Sequence, residues 1–180
     1  MGVFGWLKKA TKVVGKMAMD AAEEPSRYSP NPEWMGQMDL VDSRMNAQIL
    51  APQFLKQAQE SAKILSSTTE PSVFFMRYDF CVGRLIQLED CKKYGVKVTT
   101  TSSLEKYLDL PFREEAVNEI VQRTQEKYRD KIESLKSPKA KQNWAIKYHR
   151  AFEPYLSYMS DNAKTKLDEC SAELYALTEI

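Results

Sequence analysis

Thr69 to Gly95 reads TEPSVFFMRYDFCVGRLIQLEDCKKYG, and its spacing decides the fold class. Thr69 before Glu70 and Pro71 is a helix start: a hydroxyl able to cap, then a proline whose missing N–H costs nothing in the first turn. Phe74, Tyr78, Cys81, Leu85 and Leu88 then recur at helical spacing on one seam. Phe75, Val82 and Ile86 widen that seam into a broad apolar surface, which implies more than one neighbour and predicts the central helix of a bundle. Tyr94-Gly95 closes it with a glycine C-cap.

The flanking segments have the same character. Upstream, Met38, Val41, Met45, Leu55, Ala58, Ala62 and Leu65 keep one helical phase, and Pro52 in their midst predicts a kink or a split. Downstream, Val96–Thr101 (VKVTTT) is the only strand-like run, and with nothing to pair with it reads as a loop. Ser102-Ser103-Leu104-Glu105 has the form of a capping box for one short helix ending near Leu110.

Pro111 opens a long helix with a seam of Val117, Ile120, Thr124, Tyr128, Ile132 and Leu135. Ser137-Pro138 marks a turn. Ala145, Tyr148, Phe152, Tyr155 and Met159 follow at helical spacing, with Pro154 ending that helix near Glu153. Ser160 or Asp161 starts the last helix, where Ala163, Leu167, Cys170, Leu174 and Leu177 keep strict phase. The expectation is an all-α protein: a single-domain bundle of five or six helices, preceded by an amphipathic helix on a proline-rich tether.

Composition agrees. The 180 residues suit one compact domain better than two, with 43% hydrophobic and 28% charged residues and only 6 glycines. No run approaches the ~18 uncharged apolar residues of a membrane-spanning helix.

The N-terminus divides from the rest. Residues 1–24 (MGVFGWLKKATKVVGKMAMDAAEE) place Val3, Leu7, Ala10, Val14, Met17 and Ala21 on one helical face, flanked by Trp6 and Val13. Lys8, Lys9, Lys12 and Lys16 fall within roughly a 100° arc opposite that face. Phe4, Trp6, Leu7, Lys8, Lys9, Lys12, Val13 and Lys16 are therefore the candidate contacts with an anionic membrane surface or a partner's groove. An amphipathic helix that covers its own bundle, its lysines merely solvated, has the same pattern. Residues 25–36, with Pro25, Pro30 and Pro32, form the linker, and 37–180 the helical domain.

Charge is segregated although the net is +1. Residues 1–16 carry four lysines and no acid, and residues 136–150 carry five cations and no acid. On a helix Lys139, Lys147 and Arg150 share about an 80° arc, whereas Trp144, Tyr148 and Phe152 face the other way as core. Lys139, Lys147 and Arg150 are the candidate polyanion contacts.

Catalytic and metal chemistry finds little to stand on. Cys81, Cys91 and Cys170 form no CxxC pair and read as reduced thiols of a cytosolic protein. A lone His149 has no nucleophile motif beside it, and no Walker A, GxGxxG or HExxH sequence occurs. Neither a catalytic residue, a metal site nor a cofactor is expected. The reading is a non-enzymatic, cytoplasmic interaction module of adaptor or regulatory type. Its partner would be another protein, and its N-terminal helix is suited to rest on a membrane. The alternative is a binder of nucleic acid or another polyanion through residues 136–150.

Overall fold

The computed structural model describes residues 44–179. These form six α-helices and two 3-10 turns, with no strand among the described residues. The helices are α1 (Arg44–Ser67), α2 (Pro71–Lys93), α3 (Ser102–Glu105), α4 (Leu110–Glu133), α5 (Pro138–Phe152) and α6 (Asp161–Ala176). The 3-10 turns are Lys106–Leu108 and Glu153–Tyr158. The described residues divide into two compact units: 44–62 with Asp79–Leu108, and Lys63–Tyr78 with 109–179. The boundary falls within α1 and again within α2.

In the first unit α1 runs unbroken through Pro52. The proline deprives the Gln48 carbonyl of its helical donor, but position 48 lies on the exposed face, where water can serve instead. The buried seam of α1 is Ala47, Ala51, Phe54, Ala58 and Ser61, continued by Leu65. Of the seam expected from the sequence, Ala58 and Leu65 are buried, whereas Met45 is 68% exposed and Leu55 and Ala62 are only half-buried. Met38 and Val41 lie outside the described residues. On α2 the Cys81 thiol donates to the Ala58 carbonyl at 3.6 Å. Arg84 lays its guanidinium over Phe54 and Phe80, at 4.9 and 4.8 Å.

The end of α2 is a Schellman closure. Gly95 takes φ 77°, its N–H donates to Lys92 O at 2.9 Å, and Val96 N–H donates to Cys91 O at 3.4 Å. Residues 96–101 form a loop, as expected. The capping box at 102–105 does not form. The N-cap is Thr101, whose side chain makes no capping bond, while the Glu105 carboxylate accepts from the Thr100 hydroxyl at 2.5 Å. Leu104 and Tyr107 anchor this turn, and the Tyr107 hydroxyl reaches the Ala62 carbonyl at 3.5 Å.

The second unit is a three-helix arrangement in which α4, α5 and α6 pack pairwise. Val117, Ile120 and Ile132 from α4, Ala145, Tyr148 and Phe152 from α5, and Ala163, Leu167, Cys170 and Leu174 from α6 are buried. The local signals act where the sequence places them. Ser137 and Ser160 cap α5 and α6 by accepting from Ala140 N–H and Ala163 N–H. Pro154 converts the end of α5 into a 3-10 turn. The connection between α1 and α2 is tied to α4: Thr124 donates to Thr69 O at 3.0 Å, Arg123 to Leu65 O at 3.0 Å, and Lys127 pairs with Glu70. The hydroxyl that serves the start of α2 is Thr68, which accepts from Glu70 N–H at 3.1 Å, rather than Thr69.

Candidate interaction surfaces

The N-terminal set, Phe4, Trp6, Leu7, Lys8, Lys9, Lys12, Val13 and Lys16, lies outside the described residues, as do the tether and the rest of 1–43. The cationic set is described in full. Lys139, Lys147 and Arg150 are exposed on α5, opposite the buried Ala145, Tyr148 and Phe152.

Trp144 departs from the sequence reading. It is half-buried, and Lys147 Nζ stands 4.8 Å from its ring centroid, with Lys131 Nζ at 5.8 Å. Helix geometry gives the reason: Trp144 is ~70° around the helix from the centre of the buried seam, and Lys147 lies three residues on, within reach of its face. Its other contact is Tyr128, edge to face at 5.5 Å, which continues to Tyr148 at 5.6 Å and Phe152 at a further 5.5 Å. One aromatic row thus runs from the core to the basic surface. Lys131, which adds a fourth cation to the set, was hidden in sequence because it lies on the neighbouring helix.

Ion pairing separates this surface from the remainder of its unit. Lys127 pairs with Glu70, Arg129 with Glu173 at 2.9 Å, Lys164 with Asp161 at 3.3 Å, and Lys166 with Glu169 at 3.8 Å. Lys131, Lys136, Lys139, Lys147 and Arg150 have no carboxylate within ion-pair distance among the described residues. His149 belongs to the paired side, with Glu153 and Asp168 at 4.0 and 3.8 Å from its two ring nitrogens.

A second surface emerges on α1. Met45 and Ile49 are 68% and 57% exposed. With Pro52 they share an arc centred almost opposite the seam of Ala47, Ala51, Phe54 and Ala58. The first half of α1 is therefore apolar on both sides, and residues 44–55 contain no acid and one base. Helices of that kind are ordinarily covered on both faces.

Other chemistry is sparse. All three cysteines are buried; burial pushes the Cys81 thiol up to about 12, and raises Cys170 despite a hydrogen bond from Tyr148 that lowers it. No group of His, Cys, Asp and Glu able to hold a metal occurs among the described residues, and no helix among them is long and apolar enough to cross a membrane. A groove of about 240 Å³ is lined by Leu110, Arg113, Val117, Tyr158 and their neighbours. It is smaller than the usual ligand pocket of ~300–1,000 Å³, and Arg113 is engaged over the Tyr78 ring at 5.7 Å. No family model matches the chain, and no curated protein or solved structure matches it.

Proposed function

We propose that this chain is a non-enzymatic helical interaction module of the cytoplasm, adaptor or regulatory in type, whose partner is another protein. The single observation that carries the reading is the double-sided first half of α1. Its inner face is filled by its own unit, while Met45 and Ile49 stand out to solvent one turn apart. Two large apolar side chains presented together on a regular helix are what a partner's apolar groove takes up in helix-in-groove recognition. The near absence of charge in residues 44–55 means that the partner surface need bring little charge of its own. Residues 37–180 act as the helical domain in this reading. The amphipathic segment 1–24, on its tether 25–36, adds contact with an anionic membrane through Phe4, Trp6, Leu7 and the four lysines.

The test is capture from the native host with the intact chain and with a Met45→Ser/Ile49→Ser variant, alongside sedimentation of each at several concentrations. A protein retained by the intact chain and lost by the variant, while both sediment as monomers, supports the reading. An unchanged set of retained proteins overturns it. Association of the intact chain that the variant abolishes also overturns it, because the face then belongs to a second copy. Membrane contact is tested separately: the intact chain should co-sediment with anionic vesicles and come off at high salt, and a chain lacking residues 1–24 should not.

A further inference from the structure

The basic end of the α4–α5 pair forms a surface of different chemistry from the apolar face of α1. From Lys127 to Arg150 the sequence holds eight lysines and arginines against two acids. Two of those cations, Lys127 and Arg129, are neutralised by Glu70 and Glu173, and Lys141 turns back to the Leu177 carbonyl at 3.4 Å. The remaining five, Lys131, Lys136, Lys139, Lys147 and Arg150, meet no carboxylate among the described residues. On α6 of the same unit, Lys164 and Lys166 sit beside Asp161 and Glu169 one turn away. An uncompensated group of like charges costs mutual repulsion, which a polyanion would relieve.

At the centre of this group is Trp144, with Lys131 and Lys147 converging on its ring from two helices. The indole makes no hydrogen bond among the described residues, so its N–H and the two ammonium groups together supply donors for anionic oxygens. Around it the exposed residues are Gln142 and Asn143, with no exposed Phe, Leu or Ile on α5. Apart from the half-buried Trp144 such a face has nothing to insert into a bilayer, yet it has what a phosphodiester backbone needs: several cations and amide donors along one helix. Lys139 to Arg150 spans ~16 Å of helix axis, enough to follow several phosphates of one strand at ~3.4 Å of axis each. We infer that the surface formed by Lys131, Lys136, Lys139, Trp144, Lys147 and Arg150 binds the phosphate backbone of a nucleic acid without reading its sequence.

The test is fluorescence anisotropy of labelled single-stranded 20-mers of unrelated sequence, titrated with the full chain from 50 to 200 mM salt. A parallel arm uses vesicles of phosphatidylserine and phosphatidylcholine. Binding should be similar for each sequence, and the slope of log K against log salt should approach about −3.5 if all five cations meet phosphates. Lys131→Gln/Lys147→Gln/Arg150→Gln should weaken binding at 50 mM salt by about tenfold and flatten the slope by about 0.7 for each cation removed. Lys164→Gln/Lys166→Gln, on the paired face, should leave both unchanged. All these side chains are exposed or nearly so, and unchanged melting curves will show that every variant folds. The inference is overturned by absence of oligonucleotide binding at 50 mM salt. It is equally overturned by an unchanged slope in the triple variant, which would place binding at the N-terminal lysines. Loss of vesicle binding without loss of oligonucleotide binding overturns it in favour of a lipid surface.

Discussion

Helices α1 and α6 both bury a regular stripe, yet only one stripe could be read from the residues that form it. In α6 Ala163, Leu167, Cys170 and Leu174 are all buried, and the positions between them are polar except for the small, exposed Ala172. One phase fits, so burial follows from spacing. In α1 large apolar residues occupy several phases, and the structure buries mostly smaller ones, Ala47, Ala51, Ala58 and Ser61, together with Phe54 and Leu65. Small side chains let a neighbouring helix approach closely, and close packing of a few such positions can outweigh burial of a larger residue left outside. Hydrophobicity alone thus locates a seam when apolar residues are confined to one stripe. It fails when a helix is apolar on both sides.

The largest expected effects should be similar for the two stripes. Phe54→Ala and Leu167→Ala each remove a fully buried side chain, and each should lower stability by about 3–5 kcal/mol, read from denaturant unfolding. A Phe54→Ala cost under about 1 kcal/mol, with Leu167→Ala remaining costly, would return α1 to the seam of Met45 and Leu55.

Alkali sharpens the same contrast through the thiols. Cys81, buried against the Ala58 carbonyl of α1, keeps its proton in the folded protein to about 12, against 9.0 for an ordinary thiol. Between those values the unfolded chain has lost a proton that the folded one retains, so stability falls as pH rises past about 9, by up to ~1.4 kcal/mol per unit. Below pH 9 this group adds no slope. Cys81→Ala should flatten the alkaline limb in equilibrium unfolding between pH 8.5 and 10.5; an equally steep limb in the variant would assign it to other groups.

Each stripe also contains one serine, and the two are opposites. Ser171 Oγ donates to the Leu167 carbonyl at 2.7 Å, whereas Ser61 Oγ is fully buried with no partner among the described residues. An unpaired buried hydroxyl costs about 1–3 kcal/mol, so Ser61→Ala should stabilise the protein by about 1 kcal/mol, and Ser171→Ala should destabilise it by a similar amount. Thermal midpoints moving roughly 2–4 °C in opposite directions would show this. Movement of both in the same direction would mean that Ser61 finds a partner in solution.

Much of the architecture was legible because its signals are local. The Ser137 and Ser160 caps, the prolines at 71, 111, 138 and 154 and the turn at Gly95 each act through their own backbone, so spacing and residue type are sufficient. Long-range information was not legible. That Lys131 and Lys147 share the Trp144 ring depends on how two helices cross, and a helical wheel for α5 alone put Trp144 in the core. Lys139, Lys147 and Arg150 were recoverable as an exposed set because they lie on one helix. Lys127 and Arg129 nearby are neutralised by residues more than forty positions away, which no charge count reveals.

The smallest expected effect concerns the outer face of α1 and carries the most functional information. Met45 and Ile49 are more than half exposed, so replacing both with serine removes little buried area. Their loss should change stability by no more than about 0.5 kcal/mol, the usual range for surface positions. Helix propensity works slightly against serine, which slightly lowers even that ceiling for a favourable change. A near-zero result alongside a costly Phe54→Ala would mean that the apolar side chains at 45 and 49 contribute nothing to folding and are free to serve a partner-binding face. A loss of several kcal/mol would mean that another part of the chain covers this face in solution, and the proposed protein partner would lose its docking surface.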